Sequence, residues 1–116
     1  MQPKEPLFTL GVEEEYLLVD LDTRDLVTDP PSDLMQECVK ECGEQVSTEF
    51  MRSQIEVGTV VCRNVGEAGR ELRRLRGVIS EISGKYGYAP IAVSTHPFAR
   101  WVEQKQTEKD RKKIVR

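Results

Sequence analysis

The stretch from Gly11 to Asp20 places three consecutive glutamates directly before a run of apolar residues. The apolar run, Tyr16 to Val19, is typical of a β-strand. Glutamate is depleted in strands and adjacent carboxylates repel one another, so the acidic start needs a physical explanation. Because side chains alternate along a strand, Glu13 and Glu15 share one face and Glu14 lies on the other.

Two interpretations of these carboxylates follow from the strand pattern. Glu13 and Glu15 would lie roughly 7 Å apart, close enough to flank one cation or to serve two neighbouring cations. Hard cations such as Mg²⁺ bind oxygen ligands and would relieve the repulsion. The alternative is a solvated edge strand whose carboxylates face water, and the strand pattern taken alone favours this alternative.

Length and composition limit the class of protein. A chain of 116 residues is one domain, and 38% hydrophobic with 32% charged residues is typical of a globular protein. No apolar run reaches the ~20 residues of a membrane span. A net charge of −3 argues against nucleic acid as the main partner. Three cysteines, without the spacing of a disulfide framework, predict a reducing, cytoplasmic environment.

Turn residues and periodicity predict the elements of the first half. We expect the first strand to start at Leu7 and residues 26–27 to pair back on it. Ser32 is the expected helix N-cap, and Gly43 is a natural helix end. The expected apolar stripe of this helix is weak and comprises Met35, Val39 and either Cys42 or Cys38. Further strands are predicted over residues 45–50 and 54–62.

The strand over 54–62 supplies another carboxylate. Ile55 and Val57 share its core face, so Glu56 projects to the opposite side. Glu49 would have the wrong parity to join Glu56 if one strand ran through both. A bend near Arg52-Ser53 would be needed to bring the two carboxylates to one site.

A long amphipathic helix is predicted after this strand. Asn64, with Glu67 three residues later, resembles a capping box. Apolar residues then recur at intervals of three or four, at Val65, Ala68, Leu72, Leu75, Ile79, Ile82 and Tyr86. A strand over residues 88–94 follows, Thr95-His96-Pro97 ends it, and Trp101 and Val102 are expected to pack back on the domain.

Several other groups leave two interpretations open. Cys38 and Cys42 lie four apart, as a soft-metal pair or as buried thiols. His96 is either a ligand, proton donor or substrate contact, or a hydrogen-bonded structural residue. The helix arginines (Arg70, Arg73, Arg74 and Arg76) either bind phosphate or form a solvated face. The basic tail over 105–116 is expected to start a helix.

The order of these motifs resembles the start of the type 2 glutamate–cysteine ligase family, also called the carboxylate–amine ligases. Phe-Thr-Leu-Gly-Val-Glu-Glu-Glu-Tyr comes first, Gln-Ile-Glu-Val-Gly-Thr-Val-Val-Cys follows, and the long helix and Ser-Thr-His-Pro come after it. The match runs from Phe8 to about Arg111. The Gly-Val-Glu-Glu-Glu stretch with Gln-Ile-Glu at this distance is fairly specific, whereas the Thr-His-Pro turn is weak alone.

The resemblance implies ATP-dependent ligation on an α+β fold. In this family a carboxylate, typically the γ-carboxylate of glutamate, is phosphorylated by ATP, and an amine, typically that of cysteine, displaces the phosphate. The implied fold is similar to glutamine synthetase, with a curved, mainly antiparallel sheet flanked by helices. The implied partners are these small-molecule substrates, without nucleic acid or membrane, in the cytoplasm.

The resemblance also implies a Mg²⁺ site that holds the ATP phosphates. Glu13, Glu15 and Glu56 carry over as magnesium ligands, and Glu49 sits where related ligases have a further acidic ligand. With the resemblance added, the metal interpretation outweighs the solvated edge strand.

Two departures from the family pattern suggest an incomplete chain. Family members are much longer, and their later His-rich strand motif and nucleotide-gripping basic residues have no counterpart here. The family's Arg-Tyr pair near the tail is replaced by Arg111-Lys112. We therefore expect residues 1–116 to be the truncated N-terminal portion of the catalytic domain, weak or inactive alone. The rivals are a non-catalytic divalent-ion-binding fragment and a structural remnant that folds, as a homo-oligomer for example.

Overall fold

The structure is a computed structural model, and it describes residues 2–49 and 51–107. Within these residues the chain forms an α+β fold, as predicted. Two short 3-10 helices, Gly43–Gln45 and Trp101–Glu103, accompany the main elements. In chain order the main elements are β1 (Glu13–Asp20), α1 (Ser32–Cys42), β2 (Val46–Thr48), β3 (Gln54–Gly58), α2 (Val65–Lys85) and β4 (Tyr88–Ile91).

The four strands form one open antiparallel sheet in the order β2-β3-β1-β4. β1 pairs with β3 on one side, where Glu15 lies opposite Glu56, and with β4 on the other, where Leu17 lies opposite Ile91. β4 pairs only with Leu17–Asp20, so Glu13–Glu15 are paired on the β3 side alone and the solvated-edge interpretation of these carboxylates stays open. The likeness to glutamine synthetase stays a prediction.

Both helices pack on the same face of the sheet, which we call the helix face. Ile55 and Val57 are fully buried there, as the strand pattern predicted, and Glu56 lies half-buried on the opposite side. Removing these side chains from water provides the main driving force for folding. The core comprises Tyr16, Leu18, Leu34, Cys38, Cys42, Val46, Ile55, Val57, Leu75, Ile79 and Ile82.

α2 follows its sequence signals closely at both ends. The side chain of Asn64 accepts a hydrogen bond from the Glu67 backbone N–H at 2.9 Å, so the predicted cap is confirmed. The Glu67 carboxylate turns to the Arg63 backbone N–H at 2.7 Å, which leaves the capping box incomplete. Val65 is 78% exposed and does not belong to the buried stripe. Gly87, with φ +76°, takes the left-handed conformation after the helix.

α1 differs from its prediction in the residue that caps it and in the residues that form its buried stripe. Ser32 is the first helical residue rather than the cap; Pro31 is the N-cap and makes no side-chain hydrogen bond. The buried stripe is Leu34, Cys38 and Cys42, whereas Val39 is 44% exposed. These buried residues follow a strict spacing of four, which leaves Val39 off the stripe. Gly43, with φ +59°, ends the helix as expected.

The strand boundaries are narrower than the sequence predicted. β1 begins at Glu13, and Leu7 and Phe8 are 90% and 86% exposed, so the predicted start at Leu7 is wrong. Leu10 makes only an isolated bridge to Cys62, beyond the end of β3. Residues 26–27 do pair back on β1, since Val19 bridges Leu26.

The segment after β4 returns to the turn between β2 and β3. The Arg52 side chain donates to the Gln106 carbonyl oxygen at 3.0 Å, and Met51 bridges the same residue. Trp101 and Val102 are 77% and 55% exposed, so the expectation that they pack back is wrong. The helix predicted for the basic tail falls mainly on residues outside the described part. Among the described residues, no helix has the length and apolar character that crossing a bilayer requires.

Candidate metal-binding face

The register of β1 against β3 brings the predicted carboxylates to one side of the sheet. Glu15 lies opposite Glu56 and Glu13 lies opposite Gly58. Directly opposed residues of antiparallel strands point to the same side, and Glu13 shares the parity of Glu15. Ile55, next to Glu56, is fully buried among the helices, so the glutamates occupy the opposite side. The expectation that these two strands converge their carboxylates is confirmed.

The turn between β2 and β3 adds Glu49 to the same side. Ser47 lies opposite Glu56 in this hairpin, so residues of odd number in β2 share the side of Glu56. Glu49 follows two residues after Ser47 and interacts with the Glu56 carboxyl group. The bend predicted near Arg52-Ser53 is present, closed by a hydrogen bond from the Gln54 N–H to the Met51 carbonyl oxygen at 3.1 Å. We call Glu13, Glu15, Glu49 and Glu56 the glutamate face.

The closely spaced carboxylates change the pKa of Glu56, the central residue of the glutamate face. A side-chain hydrogen bond with Glu49, burial, and the negative charges of Glu49 and Glu13 together raise the pKa of Glu56 to about 7. Within the described residues, no Lys or Arg forms an ion pair with Glu13, Glu15 or Glu56. None of these three carboxylates is therefore neutralised by an ion pair with a basic side chain in the described part of the chain.

Two neighbours shape the space around these carboxylates. The Gln54 amide donates to Glu15 at 2.7 Å, which orients that carboxylate across the strand pair. Gly58 has no side chain opposite Glu13, and a Cβ there would lie 3.8 Å from Glu13 Cγ. An alanine at position 58 would therefore make an ordinary van der Waals contact with Glu13.

Glu14, the middle member of the triplet, has a different environment. It lies on the helix face, where the Arg76 guanidinium donates to both of its oxygens, with Nε 2.7 Å from Oε1. The Tyr16 hydroxyl donates to the same Oε1 at 2.6 Å. The hydrogen bond from Arg76 is the main reason that the pKa of Glu14 is lowered. Glu14 is therefore a structural residue, separate from the glutamate face.

The donor set of the glutamate face fits a hard cation. Carboxylate oxygens are the ligands that Mg²⁺ prefers, and Mg²⁺ uses one or two carboxylates together with waters and phosphate oxygens. The described residues contain no group of three or more His, Cys, Asp or Glu side chains placed to hold one ion. A cation at this face would thus be bound by few carboxylates plus ligands from a substrate, or by exposed glutamates that change rotamer.

His96 is held as a structural residue. Its ring Nε2 lies 2.9 Å from the Arg24 carbonyl oxygen, and its Nδ1 accepts from the Phe98 and Ala99 backbone N–H groups at 3.2 and 3.0 Å. Both ring nitrogens have partners and the side chain is buried. These contacts favour the structural interpretation of His96.

The cysteines and helix arginines also have structural environments. Cys38, Cys42 and Cys62 are buried and form no disulfide, and burial raises the pKa of Cys38 to about 11. Arg74 pairs with Glu71 at 3.0 Å on the same helix. The contact of Arg76 with Glu14 was missed by sequence reasoning, since 62 positions separate the two residues and no local pattern joins them.

Comparison with known proteins adds the family to this geometry. The model of glutamate–cysteine ligase family 2 matches residues 9–115, nearly the whole chain. The chain belongs to this family. This match confirms the resemblance that the Gly-Val-Glu-Glu-Glu and Gln-Ile-Glu motifs indicated. The two motifs lie on β1 and β3, the two inner strands of the sheet.

Curated relatives agree with this assignment. The chain is 53% identical over 104 residues to a protein of a Jannaschia species, 51% over 112 residues to one of Rhodospirillum rubrum, and 51% over 108 residues to one of Paracoccus denitrificans. All three bear the name "Putative glutamate--cysteine ligase 2". The alignments cover 90–93% of this chain but 27–29% of those relatives. The chain therefore spans little more than a quarter of their length.

Proposed function

We propose that this chain is the N-terminal portion of an ATP-dependent ligase that joins a carboxylate to an amine, with glutamate and cysteine as the expected pair. ATP transfers its γ-phosphoryl group to the carboxylate, and the amine then attacks the resulting acyl phosphate, forms the amide and releases phosphate. Family membership supports the reaction class. The observation that carries the proposal is the placement of Glu13, Glu15 and Glu56 on one side of two paired strands.

The glutamate face would hold Mg²⁺ for this reaction. Bound Mg²⁺ neutralises the charge of the ATP phosphates and keeps the attacking and leaving oxygens in line. Glu13, Glu15 and Glu56 supply carboxylate oxygens from rigid strands, and Glu49 supplies a fourth carboxylate from the hairpin. Strands position such groups more accurately than a loop would.

The chain's neighbouring residues prepare this face. Gln54 donates a hydrogen bond that orients the Glu15 carboxylate, and Gly58 has no side chain opposite Glu13. Because the pKa of Glu56 is raised to about 7, part of this carboxyl group is protonated at neutral pH. A carboxylate must be deprotonated to bind a metal ion, so Glu56 would lose its proton when a cation binds. Binding is therefore expected to release a proton near neutral pH.

Activity is expected to be weak or absent in residues 1–116 alone. The chain spans little more than a quarter of its relatives, and the walls for the carboxylate and amine substrates would come from further residues. β2 and β4 are the sheet edges among the described strands, and unpaired edges favour association. A homo-oligomer is accordingly one expected state, and the cytoplasmic location and absence of nucleic acid stay predictions.

The reaction is tested by phosphate release with ATP, glutamate and cysteine. We expect release that requires all three components from a protein that contains the complete catalytic domain, and little from residues 1–116. Omitting cysteine or glutamate in turn is the internal control. Release that needs neither substrate would contradict ligation and indicate simple ATP hydrolysis.

The metal face is tested by calorimetric titration of Mg²⁺ into the 116-residue chain. Glu13→Gln and Glu56→Gln should each weaken binding by about tenfold, in the range seen when metal-site residues are altered. Glu81→Gln, which removes an exposed carboxylate from α2, is the matched control and should bind as the wild type does. Equal affinity in all four proteins would show that the glutamate face is not the site.

A second candidate is a non-catalytic divalent-ion-binding fragment. The specific observation in its favour is that Glu13, Glu15 and Glu56 share one side of the sheet in a chain that spans little more than a quarter of its relatives' length. Mg²⁺ binding that Glu56→Gln abolishes, without phosphate release under any condition, would favour this candidate. No binding at all would leave a structural remnant.

A further inference from the structure

We propose that Gln54 is a positioning residue that fixes the Glu15 carboxylate for a cation, with the turn between β2 and β3 as its anchor. The inference rests on the proposed metal-binding role of the glutamate face, which supplies the reason to fix Glu15. Gln54 is not itself a ligand in this proposal, because it acts through Glu15.

Gln54 lies beside Glu15 on the same side of the sheet. It is the first residue of β3 and lies opposite Leu17, two residues beyond Glu15 in β1. Because Gln54 precedes Glu56 by two residues, its side chain is on the side of the glutamate face. Diagonal neighbours of this kind are within reach of long side chains. The Gln54 amide Nε2 accordingly donates to Glu15 Oε1 at 2.7 Å.

The partners at the two ends of the Gln54 amide determine which way it points. Its Oε1 accepts from the Met51 backbone N–H at 3.1 Å, while its Nε2 donates to Glu15. A backbone N–H can only donate and an ionised carboxylate can only accept, so turning the amide over would remove both hydrogen bonds. The observed orientation is therefore the one that both partners require, and it directs an N–H group to Glu15.

The turn that anchors the amide is held by backbone hydrogen bonds of its own. The Gln54 backbone N–H donates to the Met51 carbonyl oxygen at 3.1 Å, which closes the turn without the Gln54 side chain. The Arg52 backbone N–H donates to the Lys105 carbonyl oxygen at 2.7 Å, which ties the turn to the segment after β4. Removing the side-chain amide should therefore leave the turn closed.

A neutral donor suits a carboxylate that binds a cation. Glu15 is exposed, and within the described residues Gln54 is the only side chain that donates to its carboxylate. Glu14 shows the contrasting case, since the Arg76 guanidinium donates to both of its oxygens and neutralises its charge. The Gln54 amide instead fixes the direction of Glu15 and leaves its negative charge available. Fixing a ligand before binding reduces the conformational entropy that is lost when the cation binds.

A double-mutant cycle tests whether Gln54 acts through Glu15. The wild type, Gln54→Met, Glu15→Gln and the double variant are compared in the 116-residue chain, with free Mn²⁺ measured by its electron paramagnetic resonance signal. Gln54→Met keeps the length of the side chain without the amide. It should weaken Mn²⁺ binding by about tenfold, the lower end of the range for such supporting hydrogen bonds, because this contact is exposed. In the Glu15→Gln background the same substitution should change the affinity by less than about twofold, because the ligand on which Gln54 acts is already lost.

Gln36→Met is the matched control. Gln36 is exposed on α1 and forms no side-chain hydrogen bond within the described residues, so this variant loses the same chemical group away from the glutamate face. It should bind Mn²⁺ as the wild type does. Equal weakening by Gln36→Met and Gln54→Met would overturn the proposal.

A role of Gln54 in the fold alone predicts a different pattern. Gln54→Met would then lower the melting temperature and leave the Mn²⁺ affinity of the folded protein unchanged, or weaken it by the same factor with Glu15 present and with Glu15→Gln. Either result overturns the proposal.

The wild type alone provides a second test if a variant does not fold or binds too little Mn²⁺ to measure. Three-bond NMR couplings of the Glu15 side chain should indicate a single rotamer in the metal-free protein. Couplings averaged over several rotamers would show that Gln54 does not fix Glu15, and would overturn the proposal.

The same measurements separate this inference from the proposed function. If the wild type binds no Mn²⁺, the metal-binding role of the glutamate face is refuted, and the positioning role of Gln54 is refuted with it. If the wild type binds Mn²⁺ and Gln54→Met binds it equally well, the glutamate face remains the metal site and only the role of Gln54 is refuted.

Discussion

The two faces of the sheet both carry glutamates, but the surroundings of these glutamates have opposite effects on their pKa values. On the helix face, hydrogen bonding to Arg76 lowers the pKa of Glu14, and the charged carboxylate is satisfied. On the glutamate face, neighbouring carboxylates raise the pKa of Glu56 to about 7. The comparison shows that a glutamate on a strand acquires its role from its partners: a basic partner makes it part of the fold, and acidic neighbours make it a candidate ligand.

The largest expected effect is a loss of packing on the helix face. Ile55→Ala should lower the free energy of unfolding by about 2–5 kcal/mol, because Ile55 is fully buried and the substitution leaves a cavity. Urea unfolding followed by circular dichroism measures this change. If Ile55→Ala changes the free energy of unfolding as little as Glu56→Gln, the substitution at the neighbouring position, the distinction between the two faces is wrong.

A smaller loss is expected when the helix-face carboxylate is neutralised. Glu14→Gln should lower the free energy of unfolding by about 1 kcal/mol near neutral pH, since Arg76 is more than half exposed and solvent weakens the pair. Because the folded pKa of Glu14 is lowered, its contribution is complete above the ordinary value of 4.5 and is lost as the pH falls through the folded value. The difference from the wild type should therefore shrink in acid.

Stability curves at several pH values give this measurement, with Glu81→Gln as the exposed control. A difference between wild type and Glu14→Gln that grows toward low pH would contradict the assigned ion pair.

The contribution of Glu56 to stability should change with pH in the opposite direction to that of Glu14. The raised pKa of Glu56 means that the folded protein holds more protons than the unfolded chain between about pH 4.5 and pH 7, so stability falls as the pH rises through that range. Glu56→Gln cannot ionise and should be more stable than the wild type at pH 8, by about 1 kcal/mol or less at this partly exposed position. The advantage should vanish at pH 4.

Thermal melts in EDTA provide this test, and Glu49→Gln is the matched variant because Glu49 is the main cause of the shift. Added Mg²⁺ should narrow the difference in stability between wild type and Glu56→Gln, since the cation binds the wild type more tightly and therefore stabilises it more. If Glu56→Gln is less stable than the wild type at pH 8, repulsion between the carboxylates of the glutamate face does not destabilise the folded protein.

The smallest effect on stability is expected at Glu13. Its side chain is exposed, so Glu13→Gln should leave the free energy of unfolding within about 0.5 kcal/mol of the wild type. The same substitution should weaken Mg²⁺ binding, which separates the function of this residue from its contribution to the fold. A large destabilisation by Glu13→Gln would show that the glutamate face also supports the structure.

Local sequence rules predicted the elements whose causes are local. α2 is predicted by the Asn64 cap and by apolar residues at helical spacing, and the structure confirms both. The orientation of Ile55, Glu56 and Val57 follows from strand alternation. The start of β1 was misplaced because Leu7 and Phe8 look like strand residues, yet pairing with β3 begins only at Glu13.

The candidate site depended on contacts that local rules do not contain. The side that Glu49 takes follows from the pairing of Ser47 with Glu56, which the local strand pattern does not contain. The role of Glu14 was invisible, because Arg76 reaches it only after α2 has packed on the sheet. The family resemblance supplied the metal hypothesis for Glu13, Glu15 and Glu56, which strand chemistry alone did not favour.

The short turn joining β2 to β3 has a consequence for the evolution of this family. Glu49 and Glu56 meet because Glu49 follows Ser47 by two residues and Ser47 lies opposite Glu56. Insertion or deletion of a single codon between Ser47 and Glu49 would send Glu49 to the other side of the sheet even if every remaining amino acid were unchanged. Gene lineages that retain Glu49 should therefore tolerate many substitutions here, but few changes of length by an odd number of residues.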